Sequence, residues 1–179
     1  MSTSRDRILE RVKATASVSS HPEPALPSRF DDSDLWVAFE TYLVALGGRI
    51  ISRDELELTL AKRCFVEPAA ATILGIEAVA DEIWDVEIGV SLAEFAIAET
   101  GTLVVTAGEG RARMSSLAPP INVVLVSKGS IIGTLDQSIS RIPPSTSVLI
   151  TGPSRTADIE GILVRGVHGP GELLVYIYE

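Results

Sequence analysis

Residues Leu149 to Pro170 read LITGPSRTADIEGILVRGVHGP, and their reading decides the fold. Strand-forming aliphatics run into Thr151-Gly152-Pro153-Ser154-Arg155-Thr156, an acidic turn follows, and a second aliphatic run ends in Gly166-Val167-His168-Gly169-Pro170. A strand feeding a Gly/Ser/Thr/Arg loop is the start of an α/β unit. If a short helix follows, its backbone N–H groups and dipole favour a bound anion. On that reading Thr151, Gly152, Ser154, Arg155 and Thr156 are ligand-binding candidates. Asp158 and Glu160 would complement the helix N-terminus. The alternative is a plain capped helix. No Gly-Lys-Ser/Thr ending follows, so this is not a P-loop.

Working outward, the same alternation of elements continues. Leu35, Trp36, Phe39, Tyr42, Leu43 and Leu46 keep helical spacing behind Asp32 or Ser33 as cap, and Gly47-Gly48 stops the helix. A short strand is expected at 49–51. Ser52 and Glu55 form a capping-box pattern for a helix running to about Cys64, and 72–74 reads as another strand. Phe95–Ala98 and Gly101–Thr106 form a hairpin around Glu99-Thr100-Gly101. Ile121–Val126 is a buried strand, 134–141 a helix, and 148–151, 162–167 and 173–178 are strands. The fold class is therefore α/β, with a mostly parallel sheet carrying a hairpin. Residues 5–16 read as an amphipathic helix and 17–33 as a Pro/Ser linker, so 1–31 forms an arm and linker and 32–179 the domain.

The 179 residues carry 15 Lys+Arg against 24 Asp+Glu, a net charge of −9. That excludes the basic face of a non-specific nucleic-acid binder and disfavours anionic membranes. No apolar run is long enough for a membrane span. The one cysteine, Cys64, allows no internal disulfide and cannot by itself ligate an iron–sulfur cluster, and two distant histidines make no metal site. With no signal-peptide core, the expected compartment is the cytoplasm.

Two further groups carry chemistry. Arg111-Ala112-Arg113-Met114-Ser115-Ser116 can clamp an anion, with Arg113 and Ser116 as its members, or can be an exposed loop whose arginines meet surface acids. Glu99 can serve as base or nucleophile at the hairpin corner, or can be a solvated turn residue. His168 can be an acid/base group or a turn histidine.

AEFAIAETGTLVV (93–105), RMSSLAPPINVVLV (113–126) and ITGPSRTADIEGILVRGVHGP (150–170) together resemble the LUD-domain family of lactate-utilisation proteins. The resemblance implies a three-layer α/β fold of the ribose-phosphate isomerase and CoA-transferase type. It implies a role in oxidising L-lactate to pyruvate as an accessory or ligand-binding subunit. It also implies two partner proteins that carry the iron–sulfur clusters, with no cofactor in this chain; a homodimer is a second assembly to test. Glu99-Thr100-Gly101 resembles the Glu-Asn-Gly turn of CoA transferases apart from its middle residue. That supports an alternative, a stand-alone enzyme on a sugar phosphate or acyl-CoA.

Overall fold

The computed structural model describes residues 3–15, 34–79, 82–143, 146–157 and 162–179. The expected linker, the expected caps Asp32 and Ser33, and the expected acidic turn with Asp158 and Glu160 lie outside the described residues; the N-cap position of the helix that starts at Leu35 is Asp34, whose side chain makes no capping bond. Helix α1 is Ser4–Thr15.

Helix α2 (Leu35–Ala45) buries Phe39 and Leu43 and ends as the backbone turns at Gly47. Strand β1 (Arg49–Ile50) follows. Helix α3 (Arg53–Leu60) opens on the expected capping box: Ser52 Oγ accepts from Glu55 N–H, and Glu55 Oε2 accepts from Ser52 N–H at 2.9 Å. Replacing Ser52 with Ala should cost about 1 kcal/mol, read as a shift in the denaturation midpoint.

The chain then departs from the sequence expectation. Helix α3 stops at Leu60, and Cys64 begins strand β2 (Cys64–Val66) instead of closing the helix. Phe65 is aromatic and Val66 β-branched, which suits a buried strand, and β2 pairs with Ile88–Val90. Residues 72–74, expected as a strand, close helix α4 (Pro68–Leu74), which Pro68 starts and Gly75 ends in the left-handed conformation. The alanines between them favour the helix.

Strand β3 (Ile88–Ile97) is the spine. Its first half lies between β2 and β5 (Ile121–Ser127), all parallel. A register shift between Ala93 and Phe95 then changes its neighbours. Its second half meets β4 (Thr102–Thr106) antiparallel and the short β6 (Ile131–Ile132) parallel. This bulge re-aims the strand. The hairpin turn Ala98–Thr100 is the expected one, closed by Gly101 at φ 61°. After the 3-10 turn Lys128–Ser130 and β6 comes α5 (Leu135–Ile139), opened by a Thr134/Gln137 capping box.

Strand β7 (Ser147–Ile150) pairs antiparallel with β4, and β10 (Glu172–Tyr178) sits between β1 and β5, parallel to both. The remaining strands, β8 (Arg155–Thr156) and β9 (Val164–Arg165), form a separate antiparallel ribbon. The stretch expected to feed a helix thus turns out, in its described part, as a strand pair.

One apolar cluster packs Leu56 of α3 and Ala70, Ala71 and Leu74 of α4 against Val90, Val123 and Leu174. The other packs Phe39 and Leu43 of α2 against Val124, Val126, Val175, Leu103 and Val105. Helices therefore cover both faces of the sheet, the mixed α/β arrangement with an antiparallel hairpin that the alternation of elements predicts.

Candidate functional site

A cleft of about 170 Å³ lies where β7 and the loop after it face the first residues of β5 and β10. Ser116, Thr151, Gly152, Ser154 and His168, five of the nine residues singled out from sequence, line it. Leu149, Ile150, Leu117 and Leu173 supply apolar wall, and Pro153 and Pro170 stiffen the rim. The loop does follow the carboxyl end of β7, as expected. The cleft, however, is closed by the amino ends of β5 and β10, not by the carboxyl-end crevice that open α/β sheets commonly use.

Local bonding explains why these residues converge. Ser154 N–H donates to Pro170 O at 2.8 Å, and Gly166 N–H donates to Ser154 O at 3.0 Å. These bonds tie the 151–154 loop to Gly166-Val167-His168-Gly169-Pro170, so the two ends of the signature segment become opposite lips. Thr151 Oγ1 is 2.8 Å from Thr102 Oγ1, which accepts from Thr100 Oγ1 at 2.8 Å. A row of three hydroxyls thus runs from the hairpin corner to the cleft. Gly152 has φ 101°, and its Cβ position lies 2.8 Å from Leu46 O. Glycine is needed there to pass α2, and the close approach is to protein, not to a ligand.

The expected cations point elsewhere. Arg155 donates to Leu46 O at the end of α2, and the Arg165 guanidinium approaches the same place beside Gly47. Positive charge there complements the helix C-terminus. Arg113 is exposed on the 3-10 turn Arg113–Ser116 and does not line the cleft. Its neighbour Arg111 pairs with Glu94 at 2.6 Å. Thr156 lies in β8, hydrogen-bonded to the ribbon. Among the described residues lining the cleft, His168 alone has a basic side chain, and none carries a carboxylate.

Glu99 is also occupied. Its Oε1 accepts from Leu135 N–H at 2.6 Å, and its own N–H donates to Gly133 O at 3.0 Å. The carboxylate therefore caps α5 and does not line the cleft. A larger groove of about 680 Å³ on Trp36, Lys128 and Arg141 gathers none of the sequence-derived candidates.

Two polar residues that matter here carry no motif. Glu67 is wholly buried: Oε1 accepts from Leu92 N–H at 2.6 Å, and Oε2 accepts from Ala112 N–H at 3.0 Å. Ser115 Oγ donates to the same Oε2 at 3.3 Å and to Ala112 O at 2.6 Å. Glu67 thereby fastens the 3-10 turn that presents Ser116 to the cleft. Burial pushes its carboxyl above the usual carboxylate range, against the lowering effect of those donors and of Arg111. Asn122 lines the cleft and is 1% exposed. Its Oδ1 accepts from Ser91 Oγ at 3.2 Å, while its Nδ2 has no partner. The available sequence signal was a lone amide at the head of the aliphatic run INVVLV.

Among the described residues no cluster of His, Cys, Asp or Glu can hold a metal ion, and no helix is long and apolar enough to cross a membrane.

The LUD domain profile matches residues 42–178, a span that contains every cleft residue. Lactate utilization protein C of Halalkalibacterium halodurans is 36% identical over 93 residues, which are 47% of this chain and 40% of the relative. The Bacillus subtilis protein of the same name is 38% identical over 92 residues, 46% of this chain and 38% of the relative. The matched stretch thus spans about two fifths of these relatives' length. A crystal structure of a DUF162 family protein from Deinococcus radiodurans superposes with a TM-score of 0.58 at 18% identity. That superposition covers 83% of this chain and 98% of the other, and at this identity it speaks to the fold alone. With a family match that covers residues 42–178, most of the chain and the whole cleft, the chain belongs to the LUD-domain family.

Proposed function

We propose that this chain acts in an L-lactate utilisation system that oxidises lactate to pyruvate, as an accessory subunit whose cleft at Ser116, Thr151, Ser154 and His168 binds a small ligand. One observation carries the reading: the family match runs through the whole cleft, and relatives at 36–38% identity are named Lactate utilization protein C. Electron transfer would then fall to two partner proteins bearing iron–sulfur clusters, because the single thiol of Cys64 is buried and one thiolate does not hold a cluster. The stand-alone enzyme reading needs Glu99 free to react, and the bond from Leu135 N–H engages that carboxylate at α5.

A strain lacking this chain should lose growth on L-lactate as sole carbon source and regain it on complementation. Affinity capture of the chain should recover both cluster-bearing proteins. Unaltered growth of the deletion strain would overturn the assignment.

A further inference from the structure

Two surfaces outside the cleft complement each other. The first is helix α1. Every α1 side chain that the structure describes is exposed, Ile8 at 62% and Leu9 at 41%. A helix of 12 residues is marginal alone in water and gains most of its stability by packing an apolar face. Its charge is also distinctive. Arg5, Arg7, Arg11 and Lys13 stand against Asp6 and Glu10, a basic balance on a chain of net charge −9.

The second surface is a groove of about 700 Å³ that adjoins the cleft at Leu117 and His168. Trp84, Met114 and Val167 line it, and Trp84 is 72% exposed. Trp84 rides on a turn in which Asp85 N–H donates to Glu82 O at 2.8 Å. An open groove built on Trp and Met has the composition of an interface centre, where Trp anchors carry much of the binding energy. Its border is acidic. Glu172 lines it, and the exposed Glu82 and Asp85 flank Trp84. Against them stands the exposed Arg113 next to Met114, while the Arg165 guanidinium is turned to the end of α2.

We infer that two copies of this chain exchange these surfaces, α1 of each copy lying in the Trp84 groove of the other. Ile8 and Leu9 pack on Trp84, Met114 and Val167, and the basic side chains meet Glu82, Asp85 and Glu172. Three considerations select this occupant. An amphipathic helix laid in an apolar groove is a standard recognition mode, and the groove has room for several aliphatic side chains. The charges have opposite sign, which sets orientation and disfavours an acidic segment in the same place. No α1 residue lines the groove of its own chain, so the two surfaces stay apart within one copy. A reciprocal exchange covers both surfaces on both copies and closes the assembly as a two-fold dimer. This assembly does not depend on what the cleft binds.

The test is sedimentation velocity of the full chain from roughly 1 to 100 μM, with Trp emission read on the same samples. The chain should pass from monomer to dimer as its emission moves to the blue. Ile8→Glu and Trp84→Ala alter exposed side chains, so both variants should keep the wild-type melting temperature. Each should weaken dimerisation about tenfold or more. Mixed together they retain one intact helix and one intact groove, and the mixture should sediment faster than either variant alone. Raising salt from about 50 to 500 mM should weaken the wild-type dimer several-fold.

A monomer throughout the range, a dimer that either variant leaves intact, or mixed variants as monomeric as each alone would overturn the inference. So would two other occupants. A monomer whose emission responds to Ile8→Glu would place α1 in its own groove. Recovery of cluster-bearing proteins that is lost in Trp84→Ala, with no dimer in wild type, would assign the groove to them.

Discussion

Truncating Glu67 to alanine should destabilise the fold by about 4 kcal/mol, since each buried group left unsatisfied costs ~1–3 kcal/mol. The groups stranded are Leu92 N–H on β3 and Ala112 N–H at the head of the 3-10 turn, and Ser115 Oγ loses a nearby acceptor. For a chain of this size the unfolding temperature should fall by roughly 10 °C, at about 2–4 °C per kcal/mol. Glu67→Gln should cost about half as much, because one oxygen is kept and the new NH₂ faces an N–H donor.

The same residue sets a pH dependence. Its carboxyl is raised above the usual 4.5, so the folded state favours the protonated form more than the unfolded chain does. That stability is fully present below 4.5 and is lost as pH rises through the raised value. The advantage of wild type over Glu67→Gln should therefore be largest near about pH 4 and shrink toward about pH 8, as followed by thermal melts. A constant difference across that range would show that burial does not set the charge of Glu67.

Gly89→Ala should be nearly as damaging, for a steric reason at the same junction. A methyl at Gly89 overlaps the Ser115 carbonyl oxygen and lies 2.8 Å from its carbonyl carbon and 2.9 Å from Pro119 Cγ. Backbone atoms cannot swing aside as a flexible side chain would. Either the Arg113–Ser116 turn lifts from β3 or the strand bends, and overpacking of this kind costs about 3 kcal/mol. Because Ser116 rides on that turn, the lining of the cleft should be disturbed along with the stability. Gly89→Ala and Glu67→Ala should also be less than additive, since each releases the same turn; a double-mutant cycle measures the coupling. Full additivity would mean that the carboxylate and the glycine act on separate parts of the structure.

What could be read from residues alone follows from how far apart the interacting groups are. Ser52 with Glu55, Thr134 with Gln137, and Gly101 at the hairpin corner act within a few positions of themselves, and the expected helix starts and hairpin are where those residues place them. Cys64 and Thr72 both lie in short apolar stretches where helix and strand share a composition; packing against β3 decides for Cys64 and Pro68 with its alanines for Thr72. Ser116, Thr151, Ser154 and His168, candidates by residue type, meet in one cleft. Arg155 shows the limit. Its charge is visible in the sequence, but its partner, Leu46 O, belongs to a helix end more than a hundred residues earlier. Glu67 and Asn122 were missed for the converse reason. An acid ahead of a proline and an amide in an aliphatic strand look ordinary until burial makes each polar atom account for its bonds.

The position of β10 has a kinetic side. Among the described residues, Arg49 and Ile50 find their ladder only on Leu174 and Val175, and Ile121–Ser127 is flanked by that same strand along its whole length. The early α2–β1–α3 segment therefore cannot nucleate a sheet from its own neighbours. Its closure waits on contacts of very large sequence separation, which slow folding. Meanwhile β5 stays an open edge able to pair with other chains. Conditions that let this chain refold should be dilute and unhurried, and damage within 172–178 should show as aggregation before it shows as any loss of binding.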